Sequence, residues 1–220
     1  NIDIVLKTLS EIESVNRDLS GDPFFLIARS FDVNRPGALV DGLKGAVLGG
    51  TLKRGKLKIG DEIEIKPGRV VKEANQYRLE TVHTKISGLF RGSKEVKELT
   101  PGGSSSIGTE LDMAFGKADF LAGNVASLKG KLPELTENVK VKYSLFPSDG
   151  EGKSILPLKP SEVILLSVNT SAAGGIVSKL MKDEIEINLK KPIVALKGDN
   201  VGIARSVKGH WRLIGSGKIV

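Results

Sequence analysis

From Pro23 onward, the apolar side chains of this 220-residue chain recur largely at every second position, and glycine-containing turns cut them into short runs. A period of two specifies strands with one buried and one wet face. Leu57, Ile59, Ile63 and Ile65 alternate with Lys58, Glu62, Glu64 and Lys66 about a Gly60-Asp61 turn. Residues 24–28, 46–48, 82–86, 104–107 and 125–128 are further strand candidates. This spacing predicts a closed or nearly closed barrel. A linker with Pro133 inside it spans 132–137, and the β pattern then resumes. Val139, Val141 and Tyr143 alternate with lysines, and Ile185, Ile187 and Leu189 alternate with Glu186 and Asn188. Residues 163–168 form an unbroken apolar run that predicts a fully buried strand, and 193–196, 201–204 and 211–214 complete the set. The expected fold is all-β, with two consecutive β-barrels at 23–131 and 132–220 and no sequence repeat between them.

The first 22 residues differ. Ile2, Val5, Leu6, Leu9 and Ile12 recur at helical spacing, Asn1 can cap the helix and Asp3 favours its first turn. This short helix has an apolar face and no visible partner, so it is expected to be the last helix of an upstream domain, poorly ordered or misplaced without it. Residues 16–23 read as a linker.

Composition narrows the function. There is no cysteine, which excludes disulfides, thiolate zinc sites and a cysteine nucleophile in these residues. No apolar run approaches the ~18–20 residues that cross a bilayer, so no membrane partner is expected, and the missing cysteines are compatible with the cytoplasmic location expected for the chain. It begins without methionine or signal peptide and reads as part of a longer protein. The net charge is +7. Two basic and five acidic residues leave −3 over 1–22, 17 against 12 leave +5 over 23–130, and 14 against 9 leave +5 over 131–220. A polyanionic partner fits two basic domains, although charge alone also fits a protein scaffold that is basic for solubility.

No catalytic constellation emerges. Gly50-Thr51-Leu52-Lys53-Arg54-Gly55-Lys56 has the spacing of a phosphate loop. It then puts Leu57 where a hydroxyl must meet magnesium, and it leads into a strand instead of a helix. Its glycines punctuate a strand and a turn, with Arg54, Lys56 and Lys58 on a solvated face. His83 and His210 have no metal-ligand spacing. Ser104, Ser105 and Ser106 lack a nucleophile elbow. Asp61/Glu62 and Asp183/Glu184 read as wet-face charges. His210-Trp211-Arg212 offers a stacking cluster for RNA, but a lone Trp is usually mostly buried, so Trp211 is expected to pack in the barrel.

Several stretches together resemble the gamma subunit of the archaeal and eukaryotic translation initiation factor 2. They are Ala28-Arg29-Ser30-Phe31-Asp32-Val33-Asn34-Arg35-Pro36-Gly37, Leu43-Lys44-Gly45-Ala46-Val47-Leu48-Gly49-Gly50, Lys58-Ile59-Gly60-Asp61-Glu62-Ile63-Glu64-Ile65-Lys66-Pro67-Gly68, Pro101-Gly102-Gly103, Ile107-Gly108-Thr109-Glu110-Leu111-Asp112, Lys117-Ala118-Asp119, Lys182-Asp183-Glu184-Ile185-Glu186 and His210-Trp211-Arg212-Leu213-Ile214-Gly215. They keep the family's order and cover most of the chain. The sequence departs from the family at Ser104-Ser105-Ser106 and at Leu111-Asp112-Met113-Ala114-Phe115-Gly116.

The resemblance implies the second and third domains of a translational GTPase, preceded by the end of the last GTPase helix, with the boundaries given above. GTP and magnesium would belong to the parent's GTPase domain, so this piece is expected to be no enzyme and to hold no cofactor. The implied partners are methionylated initiator tRNA, the alpha subunit of the same factor, the GTPase domain and the small ribosomal subunit. For the tRNA acceptor end the matching positions are Arg29, Phe31, Val33, Lys44, Gly45, Ala46 and Val47, with Phe90 and Arg91 beside them. Arg29, Lys44 and Arg91 are expected to meet phosphates, and Phe31 or Phe90 to stack on the terminal adenine. Gly45, Gly49 and Gly50 would let the RNA backbone come close. The alternative within translation is the barrel pair of a selenocysteine-specific or other tRNA-carrying elongation factor.

Overall fold

The structure, a computed structural model, describes residues 2–13, 15–73, 76–148 and 152–220. Fifteen strands form among the described residues. The first nine are β1 (Phe24–Phe31), β2 (Val47–Arg54), β3 (Leu57–Lys58), β4 (Glu62–Glu73), β5 (Gln76–Arg91), β6 (Lys94–Glu95), β7 (Glu98–Leu99), β8 (Ser105–Thr109) and β9 (Val125–Leu128). The other six are β10 (Thr136–Leu145), β11 (Val163–Val168), β12 (Ser171–Leu180), β13 (Glu184–Ile193), β14 (Asn200–Val207) and β15 (His210–Ile219). Short 3₁₀ turns occupy Val40–Gly42 and Met113–Asp119. The expected all-β pair of barrels is what the chain forms.

The first barrel closes in the order β4-β9-β1-β2-β8-β5, with β5 returning to pair with β4. Its lumen is filled by side chains from alternate positions, among them Phe25, Ile27, Leu48, Ile63, Ile86 and Ile107. The second closes as β10-β13-β12-β11-β14-β15 around Val141, Ile164, Leu166, Ile185, Ile187 and Ile203. Closure removes sheet edges, so basic segments can face water without offering strands for aggregation.

Several local expectations are corrected. The 163–168 run is not buried on both sides. Ile164, Leu166 and Val168 enter the lumen, whereas Val163 and Ser167 are exposed, because the pleat of a barrel strand divides any run between two faces. Glu64 is not on a wet face: it is only 4% exposed and accepts the Leu132 N–H at 2.7 Å. Ile59 is exposed instead, since it sits in the turn between β3 and β4. Residues 194–196 form no strand. Trp211 is 46% exposed rather than packed inside. A bulge opposite Ile203/Ala204 shifts the face alternation of β15, so that Ile214 points in and Leu213 and Trp211 point out. Strand β12 and the outer arm of the β4–β5 hairpin were not expected at all. In β12, Ala172, Ala173, Gly174 and Gly175 are too small to mark a hydrophobic period.

The barrels touch through a small apolar seam of Phe24, Val125, Leu132 and Val194, flanked by Leu26, Leu135 and Leu196. Beside it, Lys53 of β2 forms an ion pair at 2.5 Å with Asp199, which is 3% exposed and also accepts from Asn169 Nδ2 and the Leu196 N–H. The helix α1 (Ile2–Ser10) buries none of its residues, so its apolar face is open among the described residues. Asn1, its expected cap, lies outside the described residues.

Candidate nucleic-acid interface

The loop between β1 and β2 (residues 32–46) begins as an Asx turn. Asp32 Oδ1 accepts from the Asn34 N–H at 3.0 Å, which lowers the Asp32 pKa. Asn34 then reaches across the loop. Its Oδ1 accepts the Lys44 N–H and its Nδ2 donates to the Lys44 carbonyl, both at 2.7 Å. This two-bond clamp fixes the backbone of Lys44 and leaves its side chain in solvent. The loop is anchored further on, where Thr109 Oγ1 donates to the Ala46 carbonyl at 2.6 Å and the Ala46 N–H donates to Leu111 O at 3.1 Å.

Against this loop lies a groove of about 1010 Å³, bordered by β2, β5, β6 and β8. Of the expected residues, Val33, Lys44, Gly45, Val47 and Phe90 line it. Leu111 and Met113 add apolar wall, and Ser87 and Ser106 line it as well. Glu95, Glu110 and Asp112 also line it. One lysine among three carboxylates does not make a phosphate track. The arrangement suits an uncharged or cationic group: a base face against Phe90, with carboxylates accepting from amino and hydroxyl groups.

The remaining expected residues sit elsewhere. Arg29 and Phe31 belong to a separate shallow cleft of about 340 Å³ with Asp32, Lys117 and Asp119. There Arg29 Nε donates to Asp119 at 2.7 Å and its guanidinium lies 5.5 Å from the Phe31 ring centre. The hydrogen bond from Arg29, and secondarily that from the Ser30 N–H, holds the Asp119 carboxyl below its ordinary range, and the same pair raises Arg29. Ala46 is buried in the core with its methyl out of reach of a ligand. Arg91 donates to the Gly102 and Thr100 carbonyls, so its guanidinium braces the 100–103 turn.

The glycines have a packing role as well. A methyl group at Gly45 would lie 2.1 Å from the Thr109 carbonyl oxygen, and one at Gly50 would lie 1.9 Å from that of Leu26. At Gly49 it would meet the Phe31 ring at 2.8 Å. At these positions the missing side chain makes room for the protein's own backbone and ring. The acid rim and the Asn34 clamp escaped the sequence reading, although Asp32-Val33-Asn34 carries the signature of an Asx turn. The Gly50–Lys56 stretch is the end of β2 and a turn whose Gly55 has φ +74°, so it cradles no phosphate.

Comparison with known proteins agrees with this architecture. Residues 137–219 match the family model described as initiation factor eIF2 gamma, C terminal. The whole chain aligns with the translation initiation factor 2 subunit gamma of Methanococcus vannielii at 42% identity over 224 residues, covering 55% of that protein. The namesake of Pyrococcus horikoshii is 42% identical over 223 residues, with 54% covered, and that of Thermococcus onnurineus 41%. The chain spans about half the length of the curated relatives it matches.

Proposed function

This chain is a homologue of the gamma subunit of translation initiation factor 2, corresponding to the C-terminal part of that family, and from that premise we propose that its first-barrel groove receives the acceptor end of methionylated initiator tRNA. The observation that carries this reading is the clamped Lys44 beside the apolar wall of Val33, Val47, Phe90 and Met113, rimmed by Glu95, Glu110 and Asp112. An unpaired terminal adenine fits such a site by stacking on Phe90 and donating its amino group to a carboxylate. Lys44 reaches the nearest phosphate. The ammonium of the esterified methionine favours the same acidic rim.

In this proposal the two barrels also dock the alpha subunit, pack against a GTPase domain and act in the cytoplasm in delivery to the small ribosomal subunit. GTP and magnesium belong to that GTPase domain, and no residue described above performs catalysis. The test is binding of methionylated initiator tRNA to the chain and to its Phe90→Ala and Lys44→Ala variants. Phe90→Ala is expected to weaken binding by ~1–3 kcal/mol, the worth of one stacked base. Unchanged affinity in both variants overturns the groove assignment.

A further inference from the structure

Between the two barrels runs a groove of about 930 Å³. One wall is the outer arm of the β4–β5 hairpin. β9 pairs with β4 only from Ile63 to Lys66, and β8 pairs with β5 only from Ile86 to Phe90. Among the described residues, 69–73 and 76–80 therefore have only each other as strand neighbours. Val70 pairs directly with Leu79, and Lys72 with Tyr77, which puts Val70, Tyr77 and Leu79 on one face of the arm. All three line the groove, with Val70 57% and Tyr77 70% exposed. A two-stranded hairpin is marginal in water, so an arm held out with its apolar face open gains from whatever covers that face.

The facing wall belongs to the second barrel, where β12 and β13 part. Their ladder extends from Leu180↔Ile185 to Gly175↔Leu189 and stops there. Residues 171–173 and 190–192, just beyond that end, line the groove without pairing to one another. Pro192 has no N–H to give to a ladder. On its other side β12 is held by β11 from Ser171 onward. The second edge of β12 is thus fixed in place yet unpaired over residues 171–174. A methyl group on Gly174 would meet nothing within 4 Å, so nothing covers the strand there. A bare edge of this kind is a template for another strand.

We infer that this groove takes a short extended segment of another polypeptide, added as a strand to the free edge of β12, with aliphatic and acidic residues alternating along it. An incoming strand supplies the main-chain donors and acceptors that the edge lacks, and its period of two sends alternate side chains to opposite sides. One set meets Val70, Tyr77, Leu79 and Leu135. The other set comes to Lys190 and Lys191, both exposed. Among the described residues Glu137 is the one carboxylate lining the groove, and Arg78 is already bridged to Glu73 at 2.8 Å. Two lysines against one carboxylate favour an acidic residue. Lysines and a proline also keep a bare edge from aggregating, but that role needs no apolar wall opposite. The inference is independent of the acceptor-end reading, since the two grooves share no lining residue.

The test is fluorescence anisotropy on the full chain with a labelled peptide of alternating valine and glutamate, about six residues long, the usual length of a strand. Saturable binding is expected, together with slowed amide exchange at residues 171–174, which contact through side chains alone would not produce. Tyr77→Ala is expected to weaken binding about 5–30-fold, the range of an interface anchor. Lys190→Glu/Lys191→Glu is expected to reject this peptide and to bind a valine–lysine version instead, a reversal that a misfolded variant cannot give. Absence of binding, equal binding of a peptide with the same residues in two blocks, or unchanged exchange at 171–174 overturns the inference. So does displacement of the peptide by an RNA stem-loop at equal charge concentration, which would make the groove a general anion surface.

Discussion

At the scale of single residues, the first-barrel groove depends on one amide and one missing side chain. Asn34 bonds both backbone groups of Lys44, so Asn34→Ala frees the loop and gives up only a 3.9 Å contact with Met113 of the groove wall. We expect tRNA affinity to fall in that variant while the denaturant midpoint moves little, as an exposed loop contact contributes about 1 kcal/mol. Gly45→Ala should behave in the opposite way. Its methyl would press on the Thr109 carbonyl, and such overpacking costs ~1–3 kcal/mol, read as a lower urea midpoint. Asp119 carries a pH signature. Because Arg29 holds its folded pKa below the ordinary value, its stabilisation is complete above the usual carboxylate range and is lost as pH falls through the lowered folded value. The stability gap between the natural chain and Asp119→Asn should therefore close on acidification, and a gap that widens in acid contradicts the assignment. Val33, Lys44 and Val47 stand in the motif stretches and Phe90 was added as a nearby aromatic, and the structure brings these four to one groove. The carboxylates facing them were not, because Glu95, Glu110 and Asp112 come from other strands and loops and meet only in three dimensions.

At the scale of elements, strands with large β-branched or leucine side chains announced themselves, and those built from small residues did not. The alternation of Ile185, Ile187 and Leu189 is visible because solvent-facing Glu186 and Asn188 interrupt it. In β12, Gly175 lies where a methyl would strike Ile187 at 2.7 Å and the Asn188 carbonyl at 2.9 Å, so the packing that requires the strand also erases its pattern. Bulges did the same for β15, where the exposed Trp211 looked like a core residue. Its exposure removes the packing role expected for it. The element that joins the barrels is equally hidden in sequence. Asp199 is 146 residues from Lys53, and it stops its own turn by accepting the Leu196 N–H. Removing the buried carboxylate with Asp199→Ala breaks three contacts and should cost ~2–4 kcal/mol. Lys53→Ala, whose ammonium is partly solvated, should cost about 1 kcal/mol. Denaturant titration of both variants checks the order; equal costs would mean that the pair, not the acid's local bonds, dominates.

At the scale of the whole molecule, two closed barrels share a seam small enough to be cut by one substitution. Phe24 is buried in that seam and lies under Lys53 and Arg54, whose cationic groups are 5.9 and 5.7 Å from its ring. Heating the chain should give one cooperative transition, and Phe24→Ala should split it in two as the barrels unfold independently; a single transition in the variant would locate the coupling elsewhere. The most direct test of the central claim is photo-crosslinking from the 3′-terminal adenine of methionylated initiator tRNA. The account predicts cross-links on the peptides carrying Val33, Lys44, Phe90 and Met113. Cross-links confined to the second barrel, or to the Arg29–Asp119 cleft, would contradict it.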